Sequence, residues 1–315
     1  MQNKKGELLL LLTSLIWGSS FVSQRVAMQH MPPFTFTAAR FLLGVLVLLP
    51  IYLTLKRAKR RNPSPMSVKP DLRTYRSAGL LCGGLLFIAV SFQQAGMQYT
   101  DSGKAGFISS MYVVLVPLLG YFIGKRVRKT VWLAVAFAVA GIYLLSFTSQ
   151  LQIERGDLII LIGTVFWAAH ILMLDRFLPL VDGLALAIMQ FFTAGVLALA
   201  AALFLESPNL PGVQEGLWTI LYSGIVVVGG GYTLQVLGQK SINPAIAALI
   251  MSMESVFAVL FGWLLLAERL NAREVAGCVL MFAAVSVAQL PGFRKQLPQK
   301  RAIQSYGADH EPNGE

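Results

Sequence analysis

Glu254 stands alone in AIAALIMSMESVFAVLFGWLLL, residues 245–266, a run of 22 residues with no other ionisable group. As a helix this run covers about 33 Å, the width of a bilayer's hydrocarbon core. A carboxylate at the centre of a lipid-facing helix costs roughly 2.5–3.5 kcal/mol on insertion scales, so the site needs compensation. Glu254 can carry a proton, balance a cationic substrate group, or be a structural carboxyl held by hydroxyls. Arg40, in FTFTAARFLLG, lies about 10 Å inside its own apolar run and is the only strongly cationic group at such depth. It can anchor a substrate carboxylate, pair with Glu254, or snorkel toward headgroups. His170, in FWAAHILML, can titrate near neutral pH or serve as hydrogen-bonded packing. Gln93, Gln94 and Gln235 would be costly against lipid, so they are expected to face inward, toward a solute or neighbouring helices. Trp17 and Trp167 lie deeper than the interfacial belt where aromatics anchor. With Tyr112, Tyr232 and Trp263 they can wall a cavity or simply pack.

Other chemistry finds no residues. There is no HExxH, no GxSxG and no acid cluster at metal-ligand spacing. GYFIGKR, 120–126, is one residue short of a P-loop between its glycines and has Arg where Ser or Thr should hold magnesium. Cys82 and Cys278 form no CxxC pattern and read as packing residues. No metal, cofactor or enzymatic activity is expected.

The elements that must position these groups follow from composition. Of 315 residues, 56% are apolar and 13% charged, about half the charged fraction of a soluble globule. Ten apolar stretches are long enough to span a membrane: 7–27, 33–55, 77–98, 102–124, 131–149, 157–175, 184–205, 215–238, 245–266 and 273–291. The predicted fold is thus an all-α polytopic membrane protein of ten transmembrane helices. The net charge of +11 follows topology and does not call for nucleic acid. With the amino terminus inside, twenty of the 26 Lys and Arg fall on the cytoplasmic side and four outside, which predicts both termini in. The polybasic KRAKRRNPSPMSVKPDLRTYR reads as a retention signal beside anionic lipid, with a specific lipid or nucleic-acid site as the lesser alternative. Lys104 is expected to snorkel beside Asp101, outside the site. The polar tail, 292–315, is expected to be disordered.

The chain also repeats itself. GELLLLLTSLIWGSSFVSQRV (6–26) matches GDLIILIGTVFWAAHILMLDRF (156–177) and puts Trp17 on Trp167. SFQQAGMQYTDSGKAGFISSMYVVLVPLLG (91–120) matches TLQVLGQKSINPAIAALIMSMESVFAVLFG (233–262) without a gap. Gln93 meets Gln235, Ser110 meets Ser252, and Tyr112 meets Glu254. In the register of the first match, Arg40 corresponds to Gln190, and Ser20 to His170. The repeats are 6–149 and 156–291, and the first stretch is therefore no cleaved signal peptide. Five spans per repeat is odd, so the second copy enters from the opposite side as an inverted-topology repeat, which implies alternating access to a site between halves. Gly229-Gly230-Gly231 can interrupt the eighth span or allow close helix approach. The GxxxG pairs Gly79/Gly83 and Gly120/Gly124 suit tight packing or a homodimer face.

The WGSSF ending of the first span, the Gln-x-x-Gly/Ala run before the fourth and ninth, and LLAERLNAREVAGCVLMFAAVSV resemble the drug/metabolite transporter superfamily, specifically its EamA group, over residues 6–291. The resemblance implies an inner-membrane carrier of small metabolites, often an exporter of amino acids, with a cavity between the halves and peripheral fifth and tenth helices. Its partners would be a small-molecule substrate, the lipid bilayer and, in one reading, protons. The near alternative is a multidrug exporter for lipophilic cations with Glu254 as counter-ion; the alternative of another class is a non-transporting scaffold or membrane enzyme. Where the family's ninth helix often reads Glu-Pro, this chain has Glu254-Ser255, so the proline kink the resemblance would imply there loses its support.

Overall fold

A computed structural model describes residues 2–61, 71–100, 102–125, 127, 129–146, 155–207, 210–266 and 272–289. The Asp101–Lys104 pairing, most of the polybasic loop and the tail lie outside the described residues and side chains. The chain is nearly all helix: α1 (Gln2–His30), α2 (Pro33–Arg61), α3 (Leu72–Gly96), α4 (Ser102–Ser110), α5 (Tyr112–Phe122), α6 (Lys129–Ser146), α7 (Arg155–Phe177), α8 (Gly183–Leu205), α9 (Leu210–Glu215), α10 (Leu217–Leu221), a π-helical segment (Tyr222–Tyr232), α11 (Thr233–Gln239), α12 (Pro244–Met251), α13 (Glu254–Leu266) and α14 (Ala272–Gln289). Among the described residues, eight helical stretches are long and apolar enough to cross a membrane, and two shorter apolar ones, Val131–Leu144 and Val275–Val287, fall in α6 and α14. Large apolar side chains such as Leu46, Phe204 and Trp218 cover the outside, an arrangement suited to hydrocarbon and not to water.

The packing reproduces the duplication. α3 lies on α7, and its repeat-mate, the π segment with α11, lies on α1. α4 and α5 pack on α7 as α12 and α13 pack on α1, while α6 packs on α14. Glycines make the closest approaches in matching places. A Cβ on Gly96 would sit 2.7 Å from the Gly156 carbonyl oxygen, and one on Gly238 would sit 2.9 Å from that of Gly6. Gly6 and Gly156 are repeat-mates, as are Gly96 and Gly238, so each half receives from the other the contact it gives.

Two spans break at equivalent points. α4 gives way to α5 at Met111, and α12 to α13 at Ser252–Met253. Tight i→i−3 bonds form at both joints: Met111 N to Ile108 O at 3.1 Å, and Met253 N to Ile250 O at 3.2 Å. In the second joint Ser252 Oγ donates to Leu249 O and Ser255 Oγ to Ser252 O, each at 2.8 Å. Serine hydroxyls that compete for backbone carbonyls bend helices, so a break forms here without proline.

The three glycines do not interrupt the eighth span; it runs through them as a π-helix, Tyr222–Tyr232. Thr13 Oγ1 of α1 donates to the Gly231 carbonyl at 3.1 Å, meeting an acceptor that the wider turn exposes. Gly231 is also small enough for Trp17, whose ring would lie 3.2–3.3 Å from an added Cβ.

The GxxxG pairs are used within the chain. Gly79 and Gly83 receive Met189 and Thr193 of α8. Gly124, at φ 81°, ends α5: its N–H reaches Tyr121 O at 3.0 Å and the Lys125 N–H reaches Gly120 O at 2.8 Å, a Schellman cap. The P-loop-like glycine is thus a helix stop. Gly124→Ala should lower the stability of the detergent-solubilised protein by about 1 kcal/mol and Gly124→Asn by less, because asparagine tolerates the left-handed conformation. Thermal unfolding of both variants checks this order.

Candidate functional site

The site begins at the joint before α13. By starting that helix, Glu254 places its carboxyl at the positive end of the α13 dipole. It is 3% exposed, and Ser110 Oγ of α4 lies 3.4 Å from its Oε1 while donating more closely to Gly106 O at 2.9 Å. Tyr112, the first residue of α5, lines the same pocket as Glu254, and its buried hydroxyl has no hydrogen-bond partner. Among the described residues no basic group lies within ion-pair distance of Glu254. The pair with Arg40, one of the alternatives open to that residue, does not form.

Above this carboxyl the aromatics close a small chamber. Trp17 and Trp167, repeat-mates on α1 and α7, have ring centroids 5.7 Å apart. Tyr232, at the end of the π segment, lies 4.9 Å from Trp17 and stacks at 21° on Trp167, 6.0 Å away. The chamber is lined by Trp17, Ser20, Phe21, Gln24, Gln93, Ser109, Tyr112, Trp167, Val227, Tyr232 and Glu254. Its volume of about 20 Å³ suits one water molecule.

A polar chain crosses one end of the chamber. The Trp167 indole N–H donates to Gln93 Oε1 at 2.9 Å, Gln93 Nε2 points to Gln24 Oε1 at 3.4 Å, and Gln24 Nε2 donates to Ser20 Oγ at 2.9 Å. Ser20 in turn donates to the Trp17 carbonyl at 2.7 Å. This joins α7, α3 and α1. About one turn farther along α1 and α3 lies an open vestibule of about 640 Å³, lined by Arg25, Met28, Gln29, Met97, Gln98, Tyr99 and Thr100. Gln24 and Gln93, which line the chamber, thus lie within about one turn of the vestibule residues Arg25 and Met97 along their helices.

A family model for EamA-like transporters matches residues 4–147 and again 154–289. The chain belongs to the EamA-like transporter family. Among relatives of this EamA chain, an "uncharacterized transporter" of the archaeon Archaeoglobus fulgidus is 32% identical over 89% of the chain and 84% of its own length. The "uncharacterized inner membrane transporter YedA" of Escherichia coli K12 is 28% identical over 87% of each. "Uncharacterized transporter YoaV" of Bacillus subtilis is 21% identical, over 86% of the chain and 92% of its own length. A crystal structure 18% identical shares the fold, with a TM-score of 0.74 over 91% of this chain and 97% of that one. The chain is thus a multi-pass membrane protein of a transporter family, which implies a small-molecule substrate and a lipid surround.

Within this EamA fold, five expected site residues come together: Glu254, Gln93, Trp17, Tyr112 and Trp167. Gln94 lies beside them, its Nε2 3.4 Å from the Gln24 carbonyl. Arg40, His170 and Gln235 are buried but do not line the chamber. Instead of snorkelling, Arg40 is 1% exposed and lies over the rings of Phe36 and Phe41 at 5.0 and 5.3 Å. His170 Nε2 donates to Gln190 Oε1 at 2.9 Å and its ring meets Trp167 edge-on. Trp263 is half exposed on the outside and walls nothing. Gln24 was not anticipated, although Trp17, Ser20 and Gln24 share one face of α1 at spacings of three and four residues.

Proposed function

We propose that this chain is a ten-span secondary carrier, two inverted-topology five-helix repeats over 6–149 and 156–291 with both termini cytoplasmic. It exports a small metabolite such as an amino acid across the cytoplasmic membrane by alternating access. Glu254 takes up and releases the proton or balances the solute's amine, Gln93 and Gln94 orient the solute, and Trp17, Tyr112 and Trp167 wall it. The observation that supports this most is where repeat-mates meet. Trp17 faces Trp167 and Tyr112 neighbours Glu254 at the same chamber, so the chamber lies on the axis relating the halves. A site on that axis can be offered to one side and then the other as the halves exchange conformations. The mid-span breaks at Met111 and Ser252–Met253 supply the discontinuous helices on which carriers build such sites.

The lone carboxyl under three aromatic rings also supports a second reading, export of lipophilic cations. Purified protein in liposomes, assayed with a panel of amino acids and cationic dyes with and without an imposed pH gradient, separates the two. Gradient-dependent movement of amino acids is the expected result. Movement of dyes alone would select the second reading, and no movement by folded protein would refute both.

A further inference from the structure

Next to Phe41 and Phe191, the ring neighbours of Tyr232, stand two buried polar residues with unsatisfied donors, Arg40 and Gln190. Arg40 is among the largest fully buried side chains of the protein, and its Nε has no hydrogen-bond partner. Among the described residues no carboxylate pairs with it. A buried guanidinium without an anion is costly, because its desolvation is repaid only by charge-assisted hydrogen bonds. Aromatic faces cover it on Phe36 and Phe41, which holds the fork in place without using its donors. Gln190, its repeat-mate on α8, is fully buried with Nε2 unbonded. Gln235, one turn after Tyr232, is fully buried with neither end of its amide bonded.

These groups connect to the chamber through one ring. Tyr232 lines the chamber together with Glu254, and its ring neighbour Phe41 also carries the Arg40 guanidinium, 5.3 Å from the ring centroid. Its centroid lies 5.8 Å from Phe41 and 5.9 Å from Phe191, the residue after Gln190. Tyr232 thus links, through Phe41 and Phe191, the Glu254 chamber to buried donors with which, among the described residues, no carboxylate pairs.

We infer that Arg40, aided by the unbonded Nε2 of Gln190, forms a subsite for the carboxylate of a solute whose cationic or polar end lies at Glu254, and that Tyr232 turns aside to open the chamber toward it. The inference rests on the carrier reading for its solute but not for its anion site. A planar carboxylate matches the guanidinium fork in two parallel hydrogen bonds, and the amide N–H groups supply further donors. A solute that is only a cation would meet a buried like charge there and be disfavoured.

The test compares four probes: phenylalanine, phenylalaninamide, 3-phenylpropionate and phenethylamine. Binding to purified protein is followed by quenching of tryptophan fluorescence and by thermal shift, and movement by counterflow in liposomes. Wild type should bind phenylalanine and 3-phenylpropionate about 10- to 100-fold more tightly than their carboxylate-free counterparts, the range of a charge-assisted pair. Arg40→Met should erase that preference while phenylalaninamide binds no worse, and Arg40→Lys should recover part of it. If Arg40→Met fails to fold, Gln190→Leu should weaken the two acids selectively. Equal binding of acid and amide by wild type, or an intact preference in folded Arg40→Met, overturns the subsite and leaves the carrier reading standing. Binding of acids through Arg40 with no counterflow of any probe upholds the subsite and counts against the carrier. Wild type that binds none of the four overturns the subsite.

Discussion

Glu254→Gln should reduce gradient-driven accumulation in liposomes to the level of protein-free vesicles, while solute exchange in the absence of a gradient continues. Glutamine keeps the shape and can still accept from Ser110, but it can neither release nor take up a proton. If Glu254 couples proton movement to the solute, the substitution freezes one protonation state and uncouples the cycle without blocking the chamber. The surroundings make the substitution tolerable. Glu254 has no ion-pair partner among the described residues, so no charge is left buried and unpaired when it is neutralised. Normal accumulation by Glu254→Gln at every pH tested would show that the carboxyl is structural. Loss of exchange together with accumulation would instead point to solute binding as its role.

Gly18→Ala should be the most damaging single-methyl change around the chamber. An added Cβ would lie 2.8 Å from the Glu254 carbonyl oxygen and 2.9 Å from the Ala258 nitrogen, both backbone atoms that cannot rotate away. Either α1 or α13 must shift, at a cost of about 1–3 kcal/mol for overpacking. The shift would act on the first turn of α13, which carries Glu254, so transport should fall further than stability alone explains. Gly84→Ala is the control, because a Cβ there meets nothing within 4 Å. It should leave both thermal midpoint and flux unchanged or slightly raise the midpoint, as alanine is the better helix former. Equal effects of the two substitutions would mean that α1 and α13 are not held as closely as their packing indicates.

Much of this was legible in the residues themselves. Ungapped correspondence between the halves paired Trp17 with Trp167 and Tyr112 with Glu254, and both pairs meet because repeat-mates near an axis must be neighbours. Lipid aversion placed the glutamines inside, since a polar group in hydrocarbon is costly wherever it points, but it left Arg40 free to snorkel, and Arg40 is buried instead. What it could not supply was direction within the interior. Arg40 and Gln235 are as buried as Gln93, yet only Gln93 lines the chamber, and hydropathy does not distinguish one side of Tyr232 from the other. The break before Glu254 was not foreseen for a similar reason. Proline was the signal sought, whereas Ser252 and Ser255 loosen the helix through hydroxyls whose effect depends on which carbonyl they reach. Glycine proved ambiguous as well: Gly79 and Gly83 pack on α8, Gly124 stops a helix, and Gly229–Gly231 widen one.

The reciprocal glycine contacts also set an order of events during synthesis. Gly6 on the first helix closes against Gly238, which is made most of a chain length later. At translation rates of about 5–20 residues per second that interval is on the order of 10 to 50 seconds. Throughout it α1 has its place in the membrane but not its partner, and α3 waits in the same way, though more briefly, for Gly156. The first repeat therefore reaches the bilayer as an unfinished surface, and the ribosome must deliver the second copy before the first can close.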